Sequence, residues 1–140
     1  MALDVGERRV GVAVSDETGL IARSLTVIQR ASRAEDQARL WDLAAAHGVT
    51  ALVVGLPLDA EGQEGPQARK IRRYGQRVAV ALSLPVVFWD ESGSTVRAQE
   101  AMITAGRRRR ARRDHIDAAA AAVILQDYLD HERARQNILR

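Results

Sequence analysis

Residues 1–15 read MALDVGERRVGVAVS, a short apolar strand carrying one acid, a turn with Gly6, and a second strand from Val10 to Ser15. The acid is Asp4. A carboxylate in the middle of a core strand is costly to bury unless something holds it charged or hydrates it. Nothing local does so, and its partners must therefore lie across the fold. Two later acids are placed for that role: Glu91, after the apolar run Pro85 to Trp89, and Asp117, entering an Ala-rich helix. Three carboxylates at one point would repel one another unless a divalent cation sat between them.

Working outward, the run from Ile21 to Ile28 reads as a third strand, and tight connections make the first three an antiparallel meander. Ala34, Ala38, Trp41 and Ala45 recur at helical spacing up to His47, with Gly48 as the stop. Ala51 to Val54 is a compact strand, followed by a loop from Gly55 to Gly65. Pro66 opens a helix whose buried face is Ile71, Tyr74, Val78 and Leu82. Val86 to Trp89 is the fifth strand. Ser94 or Thr95 caps a helix to about Ala105, stopped by Gly106, and Asp114 caps a last helix to about His131. The order βββαβαβαα predicts an α/β fold with a mixed five-stranded sheet flanked by helices. The five alanines Ala118 to Ala122 allow the last helix to approach the sheet closely.

The 140 residues suit one domain, 1–140, with 46% hydrophobic content and no break in composition. No stretch approaches the roughly 18 apolar residues of a membrane span, and no signal peptide is visible, so a cytoplasmic protein is expected. The absence of cysteine excludes disulfides and thiolate metal sites. Net charge is +3, with Lys70 the sole lysine. Arg107, Arg108, Arg109, Arg110, Arg112 and Arg113 gather six guanidinium groups in seven residues. Such a loop can clamp phosphates and bind nucleic acid without regard to sequence, or can serve only as a solvated basic segment.

Glu35, Asp36, Asp42, Glu100 and Asp127 fall on polar helix faces, and Asp16 reads as a turn residue. Asp117 also has a bland explanation, the dipole of the helix that Asp114 starts. Hard oxygen ligands suit Mg²⁺ or Mn²⁺ rather than Zn²⁺, and a pair of such ions can drive phosphodiester hydrolysis. No serine elbow, dinucleotide fingerprint or Walker A loop is present.

The segments ALDVGERRVGVAVSD, VVGLPLDAEGQEGPQA, VVFWDESGST and HIDAAAAAVILQDYL occur in the order and spacing of the YqgF/RuvX family, which the whole chain resembles. That resemblance implies a ribonuclease H-like fold akin to RuvC-type resolvases. It also implies a metal-dependent endonuclease acting on structured nucleic acid, with 5′-end processing of precursor 16S ribosomal RNA as its reaction. By matching positions, Asp4, Glu91 and Asp117 would be catalytic and would ligate two ions, Mg²⁺ or Mn²⁺, with Asp4 bridging them. The arginine loop would grip the backbone. The sequence departs from the family where Ser92 and Gly93 replace an Arg and an apolar residue, and it starts only three residues before Asp4.

Two alternatives stand beside this reading. One is a Holliday junction resolvase acting on branched DNA, which would need a homodimer; Leu125, Tyr128 and Leu129 are candidates for its apolar face. The other is a catalytically silent nucleic-acid-binding protein. The opening turn also resembles that of actin-like ATPases, but those have two such domains.

Overall fold

The computed structural model describes residues 1–91 and 109–138, with side chains up to Glu91 and from Asp117 onward. Its elements are β1 (Ala2–Val5), β2 (Arg9–Ser15), β3 (Ala22–Gln29), α1 (Arg33–Ala46), β4 (Leu52–Leu56), α2 (Pro66–Leu82), β5 (Val86–Asp90) and α3 (Arg109–Ile138). The expected helix between Ser94 and Ala105, together with Ser92, Gly93, Glu100, Arg107 and Arg108, lies outside the described residues.

The strands form one sheet in the order β3-β2-β1-β4-β5. β1 pairs antiparallel with β2 and β2 with β3, while β4 is parallel to both β1 and β5. This is the expected meander joined to parallel crossovers, and it puts β1 at the centre.

Strand alternation divides the core into two layers. Leu3, Val5, Val10, Val12, Leu52, Val54 and Leu56 face α1 and α2. Ala2, Ala13 and Val53 face α3, where they meet Ala121, Ile124 and Leu125. The α3 side is lined with small residues, so the helix lies against the strands. At Gly11, opposite Asp4 in the β1–β2 ladder, an added Cβ would fall 2.0 Å from the carbonyl oxygen of Asp117. The alanine run does what its composition predicts: Ala120 and Ala121 are fully buried. Farther along, the Gln126 side chain accepts a bond from the Ala22 N–H at 2.9 Å and donates to the Leu20 carbonyl at 2.9 Å, tying α3 to the start of β3.

Three local expectations are corrected. The last helix starts by Arg109 rather than at Asp114, since arginine is a good helix former and nothing between Arg109 and Asp117 breaks the run. Arg109, Arg110, Arg112 and Arg113 therefore sit on helical backbone rather than in a loop. The same helix continues past His131 to Ile138 through residues with no Gly or Pro to stop it.

In α1 the buried stripe is Asp36, Leu40 and Ala44, not Ala34, Ala38, Ala45 and Trp41, the last of which is 53% exposed. Turning the helix this way buries Leu40 and part of Leu43, more apolar area than the alanines offer. It also carries Asp36 inside, against expectation.

Leu125 is 2% exposed, and Tyr128 and Leu129 pack against the same cluster, so these three serve the core rather than an open apolar face.

Candidate functional site

Parity along the strands decides which side chains share the α3 face. Asp4 follows Ala2 on that face of β1, and Gly55 follows Val53 on β4. Glu91, two residues past Trp89, extends the face beyond the end of β5, where its N–H donates to the Leu56 carbonyl at 3.0 Å. Gly55 leaves a gap that Glu91 fills: a Cβ there would stand 2.8 Å from Glu91 Oε2 and 2.7 Å from Ile124 Cδ1.

Asp4 and Glu91 thus meet, as the sequence predicts, with their carboxyl groups in hydrogen-bonding reach. Burial, the Asp4 charge, the hydrogen bond to Asp4 and the Asp90 charge together push the Glu91 carboxyl up to about 8. Burial also raises Asp4; the bond from Glu91 works against this, and the Asp117 charge adds to it. Both carboxyls are thus raised, so the pair gives up its protons less readily than exposed acids do. Glu91 Oε2 is buried with no N–H or hydroxyl partner among the described residues. A buried oxygen of that kind costs about 1–3 kcal/mol, so the fold retains it at the expense of stability.

Asp117 is near enough for its charge to act on Asp4, but its carboxylate faces Arg9, whose Nε donates to Oδ2 at 2.7 Å. It sits two turns inside α3, too far from the start for the helix dipole to account for it. Among the described residues no three of His, Cys, Asp and Glu converge into a ready-made metal cage. The site is two carboxyls in contact and a third beside them, held by an arginine.

Neither Arg9 nor the two glycines were singled out by sequence. Arg9 gave no local signal, because its partner is 108 positions away. Gly11 and Gly55 did give one, since a glycine inside an apolar strand marks a close approach. Among the described residues, Glu35, Asp42 and Asp127 are exposed as read, and Asp36 is not. Asp16 closes its turn by accepting from the Thr18 hydroxyl and the N–H groups of Leu20 and Ile21, bonds that hold its carboxyl below the usual range.

A mixed sheet in this strand order, covered by a close-packed terminal helix, puts the chain in the RuvC-like class of the ribonuclease H fold. Two solved structures of Thermus thermophilus RuvC share it. One, in complex with a Holliday junction substrate, superposes with a TM-score of 0.54 at 20% identity, covering 87% of this chain and 88% of that one. The other gives 0.55 at 18% identity over 94% of each.

Within that class the chain belongs to the RuvX family, described as Holliday junction resolvase, which it matches over residues 1–131. It is 48% identical over 133 residues to the "Putative pre-16S rRNA nuclease" of Symbiobacterium thermophilum, covering 95% of this chain and 92% of that one. Identity to the protein of the same name from Roseiflexus sp. is 44%, covering 95% and 94%.

Proposed function

We propose that this protein is a divalent-metal-dependent endonuclease whose active site is built on Asp4 and Glu91, with Asp117 as the third acid. The observation that carries this reading is the buried Glu91 Oε2, which has no donor among the described residues and lies in a carboxyl pair beside the gap left by Gly55. An all-oxygen donor set free of His and Cys fits Mg²⁺ or Mn²⁺. A bound ion would supply charge neutralisation and Lewis-acid polarisation of a phosphodiester.

The residues of the chain do the rest. Deprotonated, Asp4 and Glu91 would both be available as ligands. Arg9 orients Asp117 beside them, and the glycine-lined contact with α3 fixes the spacing of all three. The arginine-rich start of α3, Arg109 to Arg113, stands directly before Asp117 in the chain and supplies cations for the substrate backbone.

The shared name of the relatives favours cleavage of precursor 16S ribosomal RNA, which we place at the 5′ end, in the cytoplasm, and in one domain spanning 1–140. Among the described residues no helix is long and apolar enough to cross a membrane. The test is cleavage of a precursor ribosomal RNA and of a four-way DNA junction, side by side with Mn²⁺, Mg²⁺ and chelator, with the mass in solution measured on the same sample. Metal-dependent cleavage of the RNA by a monomer supports this reading. Preferential cutting of the junction by a two-fold dimer would replace it with a resolvase, and no cleavage of either would leave a binding protein.

A further inference from the structure

On the far side of the sheet from the carboxyls lies a second concentration of charge that the site does not use. Early α2 carries five cations, Arg69, Lys70, Arg72, Arg73 and Arg77. Two are engaged within the protein: Arg72 makes paired bonds to the Glu64 carboxylate at 2.8 and 2.9 Å, and Arg69 donates to the Glu64 carbonyl at 3.1 Å. The other three, Lys70, Arg73 and Arg77, recur at i, i+3 and i+7, so they form one stripe along the helix. All three are exposed, and among the described residues none has an ion pair or hydrogen bond.

These three line a groove of about 630 Å³, together with Gly6, Arg30 and Tyr74; Glu7 is the one acid in its wall. Arg30 is fixed in place there. Its guanidinium lies 4.8 Å from the centre of the Tyr74 ring, and its Nη1 donates to the Gly6 carbonyl at 2.8 Å. Beyond Arg77 the groove continues into a second hollow of about 570 Å³, which shares Arg73 and Arg77 and adds Arg33 from α1. The result is a cationic trough that starts at Val5 and Gly6, the two residues after Asp4, and runs away between α1 and α2.

From Lys70 to Arg77 the helix rises about 10 Å, which is about three nucleotides of a helical strand. A free anion would need only one of these cations, whereas a linear row of them suits a linear polyanion. Resting on the nuclease reading above, we propose that this trough is a second backbone-binding track. It holds the strand that continues from the scissile phosphate over the β1–β2 turn onto the α1/α2 side.

The experiment is fluorescence anisotropy of single-stranded RNA and DNA oligonucleotides in chelator, over a range of salt. It compares the full chain with Lys70→Gln/Arg73→Gln/Arg77→Gln and with Arg23→Gln/Arg133→Gln/Arg135→Gln, which removes the same charge elsewhere. All six residues are exposed, and circular dichroism verifies the fold. For the trough variant the slope of log affinity against log salt should fall by about 2, from three lost contacts at about 0.7 each. Affinity in low salt should fall at least tenfold, with little change in the charge-matched variant. Loss on both RNA and DNA marks recognition of the shared backbone, and loss on one names the strand the trough takes. An unchanged slope, or an equal fall in both variants, overturns the track and leaves the trough to an acidic partner or to general charge. Because binding is read without metal, this result stands apart from cleavage. Failure of the nuclease reading would appear instead as a wild type that binds but does not cut.

Discussion

The two faces of the sheet each bury an acid, and they treat it in opposite ways. On the α1/α2 side Asp36 is 3% exposed and provided for. Its Oδ1 accepts the Ala31 N–H at 2.9 Å, its Oδ2 faces the Tyr74 hydroxyl at 3.5 Å, and the Arg30 Nε stands 4.0 Å away. Burial, and then the nearby Asp36 carboxylate, push the Tyr74 phenol up to about 12, so the hydroxyl stays a donor. On the α3 side Glu91 has an oxygen with no donor among the described residues and a second acid for a neighbour. A buried acid with its partners supplied is part of the scaffold. A buried acid pressed against another acid costs stability, and the proposed nuclease reading gives it a use as a cation ligand.

Four substitutions probe that contrast. The largest effect belongs to Gly11→Ala, which drives a methyl group into the backbone of α3 where no rotamer can relieve it. It should destabilise the protein by about 3 kcal/mol or more, read by urea unfolding. Asp36→Asn should cost about 2 kcal/mol, since the Tyr74 hydroxyl and Arg30 lose their anion, yet leave cleavage below the melting transition unchanged. A matching loss of cleavage would place Asp36 in the site after all. Arg9→Gln removes the group that orients Asp117 and should lower Mn²⁺ affinity roughly tenfold, measured by titration calorimetry.

The smallest effect carries the opposite sign. Glu91→Gln should stabilise the metal-free protein above pH 7 by about 1 kcal/mol, or roughly 3 °C. Destabilisation there would mean that the carboxyl pair is structural. The pH dependence follows from the same groups. Both carboxyls are raised in the fold, so the folded state binds more protons than the unfolded one between the ordinary Glu value of 4.5 and about 8. Their contribution to stability is complete below that window and is lost as pH rises through it. The melting temperature of metal-free protein should therefore fall across it, and Mn²⁺ should reverse the trend, because ligation requires the deprotonated pair.

Much of the site was legible in the sequence. Asp4 and Glu91 could be paired because one is an acid inside an apolar strand and the other closes a later strand, and because the family resemblance matches both positions. What escaped was set by tertiary contact. The rotation of α1, which takes Asp36 in and turns Trp41 out, depends on the fit of Leu40 against the sheet. The true start of α3 was hidden because an arginine run reads as loop by charge and as helix by propensity, and propensity wins. The Arg9–Asp117 pair exists only because α3 crosses β2 at Gly11, where the missing side chain lets backbone meet backbone.

The most direct test of the account is Asp4→Asn assayed beside wild type for both cleavage and binding of the same labelled precursor RNA, with Mn²⁺ or Mg²⁺. Loss of cleavage with binding retained is the predicted result, because the substitution removes one carboxylate of the pair and leaves the arginines in place. Cleavage at the wild-type rate would contradict it and move the active site elsewhere in the molecule.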